Sequence, residues 1–340
     1  MGLKKLLLGM AFGLAASALA STAMAENLRV LAWDGYADED WVKEFTAKTG
    51  IGVDVVFIGS DDEIWAKIKG SEGKDFDVFA VNTAQLQRYI AADLVSPIDV
   101  STMPNQQQVL PRFRDLEKVG GVTKDGKAYG VPFAFDSIGL IYDTDKVSPA
   151  PTTMDVLWDP KYAGKVLAYD NGEHNVSFTA LTLGYADPFH LDATQLDAVK
   201  KKLVDLKHNV LSFYTTADEA QQIYKDNDVA LIWANYGQQQ LKALQAVGAH
   251  VAYINPKEVA LAWLDNWVIS KGAHDTKAAE QWINFMVSKE VSAAMSERTG
   301  FGNTVTETGS AGKDDKLVWL QNVEDPQKRS DMWNEIKATP

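Results

Sequence analysis

The chain has 340 residues, no cysteine and six arginines. Beyond its first 25 positions it has no apolar run long enough to span a bilayer. Without cysteine there can be no disulfide framework, no thiolate zinc site and no cysteine nucleophile. Few arginines and a net charge of −13 make it a poor partner for nucleic acid or for an anionic membrane surface. Catalytic signatures are missing too: there is no G-x-S-x-G, no H-E-x-x-H and no Walker loop. The five histidines (174, 190, 208, 250 and 274) have no metal-like spacing, and no carboxylate pair stands out for glycoside hydrolysis. Catalysis, a metal and a cofactor therefore have no positive support. What is present is an ordinary globular composition, 46% hydrophobic and 23% charged. At this length a second core, and so a second domain, is expected.

The first 25 residues read as an address. Lys4 and Lys5 are a basic start, Leu6 to Ala20 an apolar run broken by glycines, and Ala23-Met24-Ala25 a small-x-small cleavage site. In that order these are the parts of a secretory signal peptide. The apolar run falls short of the ~20 residues of a membrane span, and no cysteine follows it to carry a lipid. The expected product runs from Glu26 to Pro340, exported to the periplasm without inserting in the membrane.

From Leu28 the pattern alternates between strand and helix. Leu28 to Trp33, Val53 to Ile58 and Phe76 to Val81 are short apolar runs of the buried parallel kind. Between and after them, Asp38 to Lys48, a helix opened by Ser60-Asp61-Asp62-Glu63 and running through Ile68, and Thr83 to Ala92 have helical spacing. The Ser60 to Glu63 stretch has the form of a capping box. Two extended runs, Ala128 to Phe135 and Ile138 to Tyr142, interrupt this rhythm. A second alternation follows, with strands at 166–169, 210–214 and 229–233 and helices at 176–183, 196–206, 218–224 and 237–247. A last strand, 260–269, precedes a helix at 276–287. Two α/β blocks joined by extended strands are expected.

Tryptophan is the informative residue. Trp33-Asp34-Gly35-Tyr36 ends the first strand, Trp233-Ala234-Asn235-Tyr236 ends the strand from Val229, and Trp263-Leu264-Asp265-Asn266 lies in the last. Open α/β sheets bind ligands at the carboxyl ends of their strands. Trp263 and Asp265, two apart in a strand, face the same way. Aromatic faces attract ammonium groups by ~0.5–2 kcal/mol each, and a carboxylate beside them supplies the countercharge. Three such clusters, two with an aspartate, point to a cage for a cation.

At these residues the chain resembles the spermidine/putrescine-type periplasmic binding proteins of bacterial ABC importers. The resemblance runs through Trp33-x-x-Tyr36, Phe45-Thr-Ala-Lys-Thr-Gly50-Ile51, Phe76-Asp77-Val78, Val131-Pro132-Phe133 and Ile138-Gly139-Leu140. It continues through Asp145-Lys146-Val147, Trp158 to Tyr162 with Gly164, Ile232-Trp233 and Trp263-x-Asp265. It implies the type II periplasmic-binding-protein fold, α/β, with two lobes closing on a ligand in the cleft. The lobes are expected at 26–132 with 265–302, and at 133–264 with 303–340. The resemblance further implies an aromatic box of Trp33, Tyr36, Trp233 and Trp263, with Asp265 as amine-binding aspartate. A small polar contact is expected at Asn82 or Thr83 and a late aromatic one at Phe301. It implies a monomeric receptor that hands its ligand to a membrane permease and is not an enzyme.

The departures bear on the ligand. Where polyamine binders carry further acids, after the strand at 166–169, this chain has Asn171 and His174. Gly35 replaces an acid of the first motif, and Asp136 stands at a crossover position where glycine is expected. Asp34 and Asp136 are the reserve carboxylates if Asp265 faces away. An ammonium buried without countercharge is costly. The ligand expected from these departures is therefore a monoamine, a quaternary amine or an ω-amino acid such as 4-aminobutyrate or 5-aminovalerate, ahead of putrescine or spermidine. Asn171, His174, Asn175 and Ser177 would meet a carboxylate. The rival readings are a secreted amide or ester hydrolase and a receptor of the same fold for an anion.

Overall fold

The computed structural model describes residues 26–256, 259–307 and 316–339; the leader read over residues 1–25 lies outside the described residues. Among the described residues no helix is long and apolar enough to cross a membrane.

The first block begins with β1 (Leu28–Trp33), α1 (Glu39–Thr49), β2 (Val53–Ile58), α2 (Asp61–Gly70), β3 (Val78–Asn82) and α3 (Thr83–Ala91). β1 lies between β2 and β3, parallel to both, with Leu28 opposite Val53 and Val30 opposite Val78. This buried parallel arrangement is why β1 and β3 are almost wholly apolar. α1 buries Trp41 and Phe45 and stops at Gly50, whose φ of 75° is left-handed and whose N–H returns to the Thr46 carbonyl. The Ser60 cap forms half of the expected box. Its Oγ accepts from the Glu63 N–H at 3.2 Å, while the Glu63 carboxylate accepts from Gly59 instead of Ser60.

The second block repeats the design. Val166–Tyr169 is the middle strand, parallel to Val210–Tyr214 on one side and Leu231–Ala234 on the other. Two long strands join the blocks. The runs expected at 128–135 and 138–142 are one strand, Val131–Asp143. It is antiparallel to Ala260–Ser270, from Ile138 opposite Leu261 to Val131 opposite Trp267. Ala260–Ser270 also pairs with β3, and Val131–Asp143 with Leu231–Ala234. Asp136 and Ser137 do not break the strand because both are buried and bonded. One Asp136 oxygen accepts from the Ser137 N–H at 2.7 Å, and the other accepts from the Gln238 N–H at 2.8 Å.

After the last long strand come the helix Thr276–Met286, a further helix Lys289–Thr299, and a C-terminal helix Pro326–Ala338. The two later helices were not foreseen in the sequence. Gly302 and Asn303 pair with Phe135 and Ala134, on the first-block half of the long strand. Lys242 of the second block donates to the Glu297 carbonyl of Lys289–Thr299, and the C-terminal helix also lies against that block. There Arg329, fully buried, donates to Glu324, to Ser177 Oγ and to the carbonyls of Pro188 and Phe189.

Candidate functional site

The carboxyl ends of all six parallel strands face one cavity of about 370 Å³. Trp33, Asp34 and Tyr36 reach it after β1, Gly59 and Asp61 after β2, and Asn82 at the end of β3. From the second block come Tyr169 and His174, then Thr216 and Asp218, then Asn235 and Tyr236. Trp263 and Asp265, on the long strand between the blocks, and Phe301 complete the wall. Among the described residues the wall carries four aspartates, at 34, 61, 218 and 265, and no lysine or arginine.

Asp265 is buried, and its Oδ2 accepts a 2.7 Å hydrogen bond from the Tyr36 hydroxyl. Burial pushes its carboxyl up to about 7, and the Tyr36 bond works the other way. The bulge between Asp265 and Asn266 shifts the register of the long strand at this point. Asp61 is the first residue of α2, half-buried, and its carboxyl is pushed up to about 8. Burial is the main cause, followed by the charges of Asp265, Glu173 and Asp62. Asn82, whose Nδ2 lies 3.4 Å from each Asp61 oxygen, opposes it. Two carboxylates thus line one cavity, and burial is the main cause that pushes each toward its neutral form.

The aromatic groups stand on both sides. Trp263 meets Phe301 edge to face at 4.8 Å, and Phe301 lies 6.3 Å from Tyr36. Across the cavity Tyr169 meets Tyr236 edge-on at 5.7 Å. The Trp263 indole donates to the Asn235 carbonyl at 3.0 Å, tying the long strand to the second block. His174 Nδ1 lies 2.9 Å from Asn235 Oδ1. Burial lowers the His174 imidazole to about 4, so the ring is neutral at physiological pH.

The structure brings Trp33, Asp34, Tyr36, Asn82, His174, Trp263, Asp265 and Phe301 to the cavity wall. It does not bring four others there. Trp233 is fully buried, 4.8 Å from Phe178 ring to ring, filling the core beneath the cavity. Thr83 is buried and donates to the Leu320 carbonyl at 2.6 Å. Asp136 is consumed at the start of the helix Gly237–Ala246. Asn171 is the N-cap of Gly172–Thr182, accepting from the His174 N–H at 3.0 Å. Of the proposed carboxylate donors beside it, Asn175 donates to the Tyr169 carbonyl and Ser177 accepts from Arg329, so neither faces the wall. Asp170, beside Asn171, is bound by the Trp333 indole at 2.6 Å and by Lys337 at 2.7 Å.

Sequence reading missed Asp61, Tyr169, Asp218 and Tyr236. Asp61 was absorbed into a capping motif. Its place just after the carboxyl end of a parallel strand was the signal that could have found it. Among the described residues no group of three or more histidines and carboxylates is arranged to hold a metal ion.

The family profile described as bacterial extracellular solute-binding protein matches residues 40–318. The chain is similar to the spermidine/putrescine-binding periplasmic protein of Escherichia coli (strain K12), 27% identical over 297 residues, covering 85% of this chain and 82% of that one. It is also similar to a putrescine-binding periplasmic protein of the same strain, 26% identical over 316 residues, covering 88% and 84%. Among solved structures, a spermidine/putrescine ABC transporter substrate-binding protein from Streptococcus pneumoniae superimposes with a TM-score of 0.75. It is 23% identical, with 92% of this chain and 99% of that one covered.

Proposed function

This chain belongs to the bacterial extracellular solute-binding protein family. On that premise we propose that it is the receptor of an ABC importer, capturing a small organic amine cation in the periplasm and delivering it unchanged to a membrane permease. The observation that carries this reading is the charge of the cavity wall: among the described residues, four aspartates, aromatic rings from both blocks, and no lysine or arginine. An ammonium entering this space gains the full charge of Asp265, which the Tyr36 hydroxyl holds in place. Ring faces add ~0.5–2 kcal/mol each where water is excluded. Relatives named for spermidine and putrescine support the same class of ligand.

The wall also ranks the ligands. An ω-amino acid brings a carboxylate, which needs a cation or a cluster of donors. Among the described residues the wall has no lysine or arginine, and His174 is neutral. Zwitterions are therefore expected to bind below cations, against the order drawn from the sequence. An anion fits less well still. A hydrolase would need an activated nucleophile. The wall hydroxyls are those of Thr216 and the tyrosines, and His174 Nδ1 is engaged by Asn235.

The ligand would touch both blocks, and contact with both is what lets binding favour a closed arrangement of two lobes. The lobes we propose keep residues 26–132 and 265–302 in one and 133–264 in the other. The test is a thermal-shift panel of amines and amino acids followed by mass spectrometry of the recovered ligand. Stabilisation by an amine recovered intact supports the reading. Conversion of the amine, or stabilisation by none of them, overturns it.

A further inference from the structure

We infer that Lys242 is a positioning residue for capture: its ammonium clasps the end of a first-block helix across the rim of the cavity, and by holding the closed arrangement it slows the escape of the ligand. The inference rests on the reading of an amine receptor whose two lobes close. It goes further by naming a residue that governs release without touching the ligand.

Lys242 lies in the helix Gly237–Ala246 of the second block and is exposed. Gln239 and Ala243, on either side of it in the sequence, line the cavity, while Lys242 does not. Its Nζ donates instead to the Glu297 carbonyl, in the last turn of Lys289–Thr299. The last carbonyls of a helix have no amide partner within it, and the helix dipole places partial negative charge there. The Gly300 N–H closes on the Ser296 carbonyl, and the next carbonyl in the chain takes the lysine. An ammonium arriving from another element is the complementary group for that end.

The receiving end is shaped for this approach. Gly300 has a left-handed φ of 88°, and a Cβ there would stand 2.9 Å from Lys242 Cδ and 3.1 Å from Gln238 Cβ. The lysine stem therefore lies against bare backbone. The same helix end is anchored on its other side to the first block. Arg298 donates to Asp38 at 2.6 Å and to Asp40 at 2.9 Å, and its guanidinium lies 4.4 Å from the centre of the Trp41 ring. The helix end thus travels with the first block and Lys242 with the second. Phe301, a wall ring, follows Gly300 directly, so the clasp meets the rim beside a surface the ligand would touch.

Two other bonds near this place have a different character. The Asp136 carboxylate accepts from the Gln238 N–H, and the Trp263 indole donates to the Asn235 carbonyl. Both start from the long strands that join the blocks, where a rotation of one block against the other moves atoms least. The Lys242 bond runs between helices of different blocks, further from those strands. Opening the cavity separates its partners, so the bond favours the closed arrangement alone, which is the condition for shifting the equilibrium.

The test is stopped-flow binding and release of 1,4-diaminobutane by the chain from Glu26 onward, by Lys242→Met, which keeps the stem and removes the donor, and by Lys242→Arg, which keeps the charge. An exposed charge at a helix end is a modest, salt-screened interaction. Lys242→Met is therefore expected to raise the dissociation rate about two- to fivefold. The association rate and the melting temperature of the ligand-free protein should stay as they are. Lys242→Arg should restore slow release, and the gap between the unmutated protein and Lys242→Met should shrink at high salt. An unchanged dissociation rate in Lys242→Met would overturn the inference. So would a fall in the melting temperature of the ligand-free protein, since the bond would then hold the open arrangement as well. Release as fast in Lys242→Arg as in Lys242→Met would also overturn it, because charge would not be what clasps. Failure of the amine reading itself would look different, as no binding of 1,4-diaminobutane by the unmutated protein.

Discussion

The Tyr36 hydroxyl donates a 2.7 Å hydrogen bond to Asp265, a residue 229 positions away in the chain. It joins the turn after β1 to the long strand that links the two blocks, and it fixes the direction of the carboxylate we propose as the ammonium ligand. Tyr36→Phe keeps the ring and removes the donor. A hydrogen bond to a charged group contributes ~1.5–3 kcal/mol, so amine binding should weaken roughly ten- to a hundredfold. The melting temperature of the empty protein should change little, because an unpaired Asp265 can take up a proton. Calorimetry and thermal melts on the variant check both halves.

Binding should be linked to protons. Burial pushes Asp265 up to about 7 and Asp61 up to about 8, against ~4 for an ordinary aspartate. Between those limits the folded empty protein holds protons that the unfolded chain has lost. Its stability should therefore fall as pH rises from about 4 to about 8. Glu173, also raised by burial, adds to the same slope, and Asp62 repels Asp61 from within its own helix. An ammonium ligand reverses the effect by favouring the charged carboxylates. Affinity should rise from pH 6 to pH 8.5, with protons released on binding. Calorimetry in two buffers of different ionisation heat measures that release, and Asp61→Asn should reduce it.

Trp233 and Trp263 should separate stability from binding. Trp233→Leu removes a fully buried ring that packs on Phe178. It should cost about 2–4 kcal/mol of stability and leave the affinity of the folded protein within about threefold. Trp263→Phe loses the indole bond to Asn235 and changes a wall ring. It should weaken binding several-fold at smaller cost to the fold. Urea unfolding and ligand titration on both variants give the comparison.

Gly237 is positioned by Asp136. Its φ is 46°, and a Cβ there would stand 2.3 Å from the Asp136 carboxyl carbon. Gly237→Ala must either move the helix Gly237–Ala246 or displace Asp136 from the Gln238 N–H. A loss of about 2–4 kcal/mol is expected, measured by chemical denaturation. An unchanged midpoint would contradict this account of the crossover.

Periodicity and strand-end position made the two blocks and half of the cavity legible in the sequence. The strands at Leu28–Trp33, Val53–Ile58 and Val166–Tyr169 fall where the apolar runs place them. Trp33, Tyr36, Trp263 and Asp265 reach the wall because they follow or occupy strands whose ends meet there. Trp233 does not, because it lies inside the strand Leu231–Ala234 and packs on Phe178 in the core, while Asn235 and Tyr236, beyond the strand's end, take the wall. Asp61 was hidden because its local pattern, Ser-Asp-Asp-Glu, explains it fully as helix start. Only the folded chain shows that it also lines the cavity, beside Asn82 from the end of β3. Asp136 misled in the opposite direction: an unusual acid at a crossover turned out to be the anchor of a helix.

The most direct test of the central claim is calorimetric titration of ligand-free protein with putrescine and with 4-aminobutyrate under the same conditions. The account predicts saturable one-to-one binding of putrescine, recovered chemically intact, with 4-aminobutyrate weaker. At a hundredfold excess over Kd the bound protein should gain ~2.7 kcal/mol of stability. Tighter binding of 4-aminobutyrate, or no saturable binding of any amine, would contradict it.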